Sequence, residues 1–106
     1  MPRIGHVTRQ DNGGYAGELR TLSIRVPIEI EPKSSKAAKA QPDYRVLSDG
    51  VEFGAGWNRR SESSGRDYVS LALASPEFGP RRLYVTLAPA PGESADRFAL
   101  LWIPAD

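Results

Sequence analysis

An unbroken alternation of apolar and other residues, from Leu22 to Ile30, constrains the fold of this chain more than any other feature. Every second residue is apolar: Leu22, Ile24, Val26, Ile28 and Ile30. Side chains of a β-strand point alternately to opposite faces, so the pattern predicts a long strand with one face on a core and the other in water. Pro27 falls on the outward phase and cannot donate to a neighbouring strand, which predicts an edge strand or a bulge there.

The same two-residue period recurs in three later segments. Their apolar positions are Val51, Phe53, Ala55 and Trp57; Val69, Leu71 and Leu73; and Leu83, Val85 and Leu87. The final run, from Phe98 to Ile103, is apolar on both faces, which predicts a strand that is central, covered on both sides or part of an interface. These phases place Trp57 and Trp102 in the core.

Turn-forming residues separate the runs. Residues 11–14, 48–50 and 63–65 combine Asp, Asn or Ser with glycine, which tolerates positive φ. Seven to eight short strands with such turns predict a single all-β domain over residues 1–106, a small antiparallel barrel (OB-like or SH3-like) or a sandwich. Residues 32–42 contain three lysines and are expected to form a long basic loop.

The inventory of reactive side chains argues against an enzyme. The chain has one histidine, His6, and no cysteine. A serine–histidine–aspartate triad would have to use His6, no Gly-x-Ser-x-Gly segment is present, and no ligand spacing fits a metal. Glu29 and Glu31 share one strand face, which is typical of a solvated face on an edge strand. We therefore expect no enzymatic activity, no cofactor and no metal site.

Overall charge and hydropathy give no sign of a nucleic-acid or membrane partner. Lys and Arg number 14 against 13 Asp and Glu, a net charge of +1, so the chain as a whole does not attract polyanions. It has no apolar run long enough to span a membrane and no signal-peptide core. Since a chain without cysteine suits a reducing compartment, we expect a cytoplasmic protein with no membrane partner.

A local set of aromatic and basic side chains is more informative than the net charge. The predicted strand phases point two tyrosines, Tyr68 and Tyr84, away from the core, and each lies two residues after an arginine, Arg66 or Arg82. Two more arginines, Arg59 and Arg60, lead into the hairpin that contains Arg66. Aromatic rings stack on bases and arginines contact backbone phosphates, so this face predicts binding of single-stranded DNA or RNA. The competing interpretation is an ordinary cross-strand tyrosine pair, and Glu62 and Asp67 dilute the basic hairpin.

Several short segments, taken in order, resemble one known family. They are Gly13-Gly14-Tyr15-Ala16-Gly17, Arg20-Thr21-Leu22, Pro42-Asp43-Tyr44-Arg45-Val46, Gly54-Ala55-Gly56-Trp57, Tyr68-Val69-Ser70-Leu71 and Leu101-Trp102. Together they resemble the family called domain of unknown function 736 over nearly the whole chain. Residues 74–76, 85–87 and 103–104 depart from its pattern. The resemblance implies a protein of proteobacterial plasmids and integrative conjugative elements, and it implies no particular activity.

Two functions remain as hypotheses. The first is a non-enzymatic binding module of a mobile genetic element that contacts single-stranded nucleic acid through the tyrosine and arginine face. The alternative is a protein–protein interaction module, either an inhibitor of a host defence system that binds a host or element-encoded protein, or a homodimeric accessory protein. In a homodimer, the strand from Leu22 and the final strand are expected to pair edge to edge.

Overall fold

Eight antiparallel strands form a closed barrel in this computed structural model, which describes residues 2–33, 40–90 and 92–104. The strands are β1 (Arg3–Arg9), β2 (Tyr15–Arg20), β3 (Arg25–Pro32), β4 (Tyr44–Ser48), β5 (Val51–Arg60), β6 (Asp67–Leu73), β7 (Leu83–Pro89) and β8 (Arg97–Ile103). One short 3-10 helix, Pro76–Phe78, follows β6. The predicted small all-β barrel is confirmed, while residues 34–39 of the expected basic loop lie outside the described residues.

The strands follow one another around the barrel in chain order, and β8 pairs with β1 to close it. The closure is sealed beyond the ladder by the Trp102 amide, which donates to the Pro2 carbonyl at 2.9 Å. This order is a simple meander, whereas an OB fold is a five-stranded Greek-key barrel, so the OB likeness does not extend to the strand order.

The meander fixes which connections meet at each end of the barrel. The β1–β2, β3–β4, β5–β6 and β7–β8 connections lie at one end, called here the mouth end, and the other three connections lie at the base end. No helix in the described ranges is long and apolar enough to cross a membrane.

Aliphatic side chains from every strand except β5 fill the interior. Those that are fully buried are Val7, Leu19, Ile28, Ile30, Val46, Leu71, Leu73, Val85 and Leu100. Eight strands enclose a space just wide enough for side chains to fill. A binding site therefore has to lie at an end of this barrel or on its outer surface.

The predicted phases of β6, β7 and β8 are confirmed. Leu71, Val85 and Leu100 each have 0% exposure, and Trp102 packs against the same core. Tyr84 lies on the opposite phase of β7 and is 41% exposed. The outward face that the sequence assigns to these strands is therefore the outer wall of the barrel.

The prediction of an edge strand from Leu22 is wrong. β3 begins at Arg25 and pairs with β2 on one side and β4 on the other, while Leu22 lies outside it and is fully exposed. Pro27 is tolerated because β4 pairs only with residues 29–32, so at Pro27 the strand has a neighbour on one side only. Since the barrel is closed, β8 offers no free edge for the expected edge-to-edge dimer, and β3 is unpaired on the side of β4 only at residues 25–28.

A β-bulge in β5 overturns the phase assigned to that strand. Val46 of β4 lies opposite Gly54, but the next residue, Leu47, lies opposite Glu52. Phe53 is therefore an extra residue in β5 with no residue opposite it on β4. A bulge of this kind lets Phe53 and Gly54 face the same side of the sheet. The apolar alternation continues through the bulge in the sequence, so the pattern contains no sign of the change.

Trp57 consequently lies on the outer wall and not in the core. Beyond the bulge, Gly56 faces the interior opposite Leu71, and Trp57 faces outward opposite Ser70. A Cβ at position 56 would lie 2.7 Å from Leu71 Cδ2, so a larger residue there would force the Leu71 side chain to move. Val51, which was also assigned to the core phase, is 66% exposed at the base end.

Candidate functional site

The structure divides the six predicted binding residues between the two ends of the barrel. Arg59, Arg60, Arg66 and Tyr68 lie at the mouth end, on β5, on β6 and in the turn between them; Arg82 and Tyr84 lie at the base end. Tyr84 lies opposite Ala72, four residues along β6 from Tyr68, which is about 13 Å at the usual rise of a strand. The two tyrosines share the outer wall but cannot form one stacked pair.

The mouth-end group forms a continuous outer surface. Arg59 lies directly across the strands from Tyr68, and its guanidinium carbon is 5.7 Å from the centroid of the Trp57 ring. The Trp57 indole N–H donates to the Ala40 carbonyl at 3.2 Å, which fixes the ring against the outer wall. We call Trp57, Arg59 and Tyr68 the hairpin surface.

The arginines of this end differ in how far their charge is already balanced. The Arg60 side chain forms an ion pair with Asp67 at 3.1 Å. Arg59 and Arg66 form no ion pair with any residue that the structure describes. Arg59 and Arg66 are therefore the cations available to an anionic partner, and Arg60 contributes less.

The base end, where Arg82 and Tyr84 lie, also carries exposed apolar side chains. Tyr84 lies opposite Ile103, which is 37% exposed, and the nearby connections at this end carry Leu22 and Val51. Arg82 follows Arg81 in the connection before β7. The base end therefore carries exposed apolar side chains together with two arginines.

A cavity of about 450 Å³ opens at the mouth end. Its lining residues include Arg9, Tyr15, Tyr44, Asn58, Asp67, Tyr68 and Phe98. The Tyr15 ring meets those of Tyr44 and Phe98 edge to face, with centroid distances of 6.1 and 5.5 Å and interplanar angles of 60° and 88°. This geometry is the favoured one for aromatic pairs, so the rings form a stable wall.

Polar groups are held at fixed positions around these rings. The Arg9 guanidinium carbon lies 5.1 Å from the Phe98 centroid and 5.8 Å from that of Tyr15. The Tyr44 hydroxyl donates to Asn58 Oδ1 at 2.9 Å. Burial raises the pKa of Tyr44 above its ordinary value, and the neighbouring Tyr15 raises it further, so the phenol is protonated at neutral pH.

Sequence reasoning missed this aromatic cavity, although its signals are present. Tyr15 and Tyr44 are each the first residue of a strand, and each lies on the inward phase with Leu19 or Val46. In a closed meander, inward residues at strand ends converge at the same opening. The missing step was the strand order, because nothing in the pattern of β1 or β8 indicates that these two strands pair.

Among the residues that the structure describes, no group of three or more His, Cys, Asp or Glu side chains is placed to hold a metal ion. His6 lies on β1 opposite Glu18 of β2 and Ala99 of β8.

The fold and the site define a class of protein: a small closed antiparallel barrel with a packed interior and an aromatic cavity at one end. A family model described as "Protein of unknown function (DUF736)" matches residues 3–105, and the chain belongs to this family. The family expected from the short sequence segments is thereby confirmed. The searches of curated proteins and of solved structures gave no significant match.

Proposed function

We propose that this protein is a non-enzymatic binding module for single-stranded nucleic acid, and that the strand binds on the hairpin surface of the mouth end. One observation carries the proposal: Arg59 lies beside two outward rings, across the strands from Tyr68 and over Trp57. Two rings and a cation on one surface match what an unpaired strand requires, because its bases stack on rings and its phosphates seek cations.

The available charges predict moderate affinity with a measurable salt dependence. Binding of a single strand weakens with salt by a slope of about −0.7 per neutralised phosphate on logarithmic axes. Since Arg59 and Arg66 have no carboxylate partner, two phosphate contacts predict a slope of about −1.4. Each base stacked on Trp57 or Tyr68 adds about 1–3 kcal/mol.

The cellular setting belongs to the same proposal. The family resemblance implies plasmids and integrative conjugative elements, and such elements pass through single-stranded stages when they transfer or replicate. A cytoplasmic protein of a mobile genetic element that binds unpaired strands fits this setting.

We expect substitutions at the mouth end, but not at the base end, to weaken binding of a labelled single-stranded oligonucleotide in a fluorescence anisotropy titration. The double variant Arg59→Ala/Arg66→Ala should lose most of the salt dependence, and Tyr68→Ala should weaken binding about five- to 150-fold, which corresponds to one lost base stack. Arg81→Ala/Arg82→Ala and Tyr84→Ala are matched controls, since they make the same changes at the base end.

The outcome of these titrations decides the proposal. Equal losses in both sets of variants would show that binding does not use the hairpin surface. Absence of binding at tens of micromolar wild-type protein, or binding that is indifferent to salt, would remove nucleic acid as the partner.

The exposed apolar residues of the base end favour a second candidate, a protein contact. Leu22 is 109% exposed and Val51 66%, and Tyr84 and Ile103 lie side by side on the outer wall near the same end. If the partner is a second copy of the chain, light scattering should give twice the monomer mass at high concentration, and Leu22→Ser should restore the monomer. A monomer mass at every concentration would contradict the homodimer.

A further inference from the structure

We infer that the mouth-end cavity binds a single nucleobase together with its phosphate, supplied by a strand on the hairpin surface or by a free nucleotide. The strand as a source rests on the proposed function, whereas the chemistry of the cavity stands on its own residues. The assignment follows from the size of the cavity, its aromatic wall, an unbalanced cation and an amide group.

The lining residues, and not the size, distinguish this cavity from those at the base end. About 450 Å³ lies within the range of pockets that hold small ligands and is sufficient for a nucleotide. A base-end cavity of about 480 Å³ is comparable in size but is lined mainly by apolar side chains such as Ile24, Val26, Phe53 and Phe78. Another base-end cavity, of about 600 Å³, has a single ring, Trp102, among its lining residues. Only the mouth-end cavity, of these three, combines several aromatic rings with a cation that has no carboxylate partner.

The aromatic wall suits a planar ring. Tyr15 stands at 88° to Phe98 and at 60° to Tyr44, so these rings present faces and edges to the same space. A base that stacks on one ring meets the edge of another, which is a favoured arrangement for aromatic groups. Splayed-out bases are commonly recognised by stacking on Tyr and Phe in this way.

Arg9 provides the positive charge at the cavity. Its guanidinium lies over both Tyr15 and Phe98 and forms no ion pair within the described part of the chain. A guanidinium stacked on rings keeps its N–H groups free at its edge, where they match two phosphate oxygens. The combination of rings and cation selects a planar ligand that carries an anion.

Asn58 supplies a polar contact for the edge of the base. Its side-chain oxygen accepts a hydrogen bond from the Tyr44 hydroxyl, which orients the side chain. Its main-chain N–H donates to Asp43 Oδ2 at 2.9 Å. The amide nitrogen of that side chain donates to no residue that the structure describes. It is available to an oxygen or ring nitrogen on a base.

The cavity adjoins the hairpin surface. Tyr68 lines the cavity and also lies across the strands from Arg59. Asp67, which lines the cavity too, is the ion-pair partner of Arg60. A base of a strand bound along the hairpin surface can therefore turn into the cavity while its neighbours remain stacked outside.

Nuclear magnetic resonance of the full chain with three probes tests this inference. The probes are a free mononucleotide, a short thymidine oligonucleotide and an abasic strand of the same length. We expect the mononucleotide to shift the ring signals of Tyr15, Tyr44 and Phe98 and the Asn58 side-chain amide. The abasic strand should shift mainly Arg59, and the oligonucleotide should shift the cavity signals and the Trp57 indole together.

The pattern of shifts separates the two proposals. If the oligonucleotide moves the Trp57 signal while no probe moves the cavity signals, the cavity inference is overturned and the proposed function stands. If the mononucleotide moves the cavity signals but the oligonucleotide leaves Trp57 unchanged, the cavity binds a free nucleotide and the hairpin proposal fails. If no probe moves either set, both are overturned.

A pair of exposed arginines gives a test that does not depend on the core. Arg9→Gln should weaken mononucleotide binding by at least about fivefold, because a charge-assisted contact is lost. Arg20→Gln, an equally exposed change at the base end, should leave it unchanged. Unchanged binding in Arg9→Gln, with thermal unfolding equal to wild type, would contradict the assigned phosphate contact.

Discussion

Replacement of Gly17 by alanine is expected to lower the free energy of unfolding by at least about 3 kcal/mol, since the clash exceeds ordinary overpacking. Gly17 of β2 lies between Val7 of β1 and Ile28 of β3. A Cβ at this position would lie 2.0 Å from the His6 carbonyl oxygen and 2.7 Å from Val7 Cα. Backbone atoms cannot rotate away as a side chain can, so β1 would have to shift and strain its ladders on both sides.

Urea denaturation of Gly17→Ala beside Gly65→Ala measures this effect. Both are glycine-to-alanine changes, but a Cβ at Gly65 meets nothing within 4 Å, and only its φ of +71° opposes the substitution. That conformation costs about 1–2 kcal/mol for a residue with a Cβ. Equal losses in the two variants would mean that β1 does not approach Gly17 as closely as the structure shows.

Leu71→Ala is expected to destabilise the barrel by about 2–5 kcal/mol, because it empties part of a packed interior. Leu71 is fully buried on β6, and its Cδ2 lies 2.7 Å from where a Cβ at Gly56 would be. Gly56→Ala alone should therefore also destabilise the protein. In the double variant, the new methyl group enters the space that Leu71 leaves, so the combined loss should be smaller than the sum by about 1 kcal/mol or more.

A double-mutant cycle by chemical denaturation measures this coupling. The control cycle combines Gly56→Ala with Ile4→Ala, a buried residue of β1 on the far side of the barrel. Those two changes should add to within about 0.5 kcal/mol, as distant sites usually do. Additivity in the Gly56–Leu71 cycle as well would contradict their direct contact.

The strands that were predicted best from the sequence are those with a regular register. On β6 and β7 the ladder runs from Val69 opposite Leu87 to Leu73 opposite Leu83 without interruption. An uninterrupted ladder keeps the two-residue period aligned with the faces of the sheet, so the outward positions of Tyr68 and Tyr84 follow from the sequence alone. The distance between them does not, because it depends on how the strands are offset.

The strands whose register shifts were predicted less well. The extra residue at Phe53 reverses the facing of the residues after it, and Trp57 moves from the expected core to the outer wall beside Arg59. A bulge of this kind changes geometry without changing the hydrophobic pattern. The continuous alternation thus hid the outward position of Trp57, which the sequence assigned to the core.

The chain-order meander also bears on how the molecule folds. Seven of its ladders join strands that are consecutive in the sequence, and only the β1–β8 ladder joins distant ones, such as His6 with Ala99. Closing a loop of roughly ninety residues costs about 2 kcal/mol more in chain entropy than closing one of ten. We therefore expect local hairpins to form early and extend one another, and the seam between the first and last strands to form last.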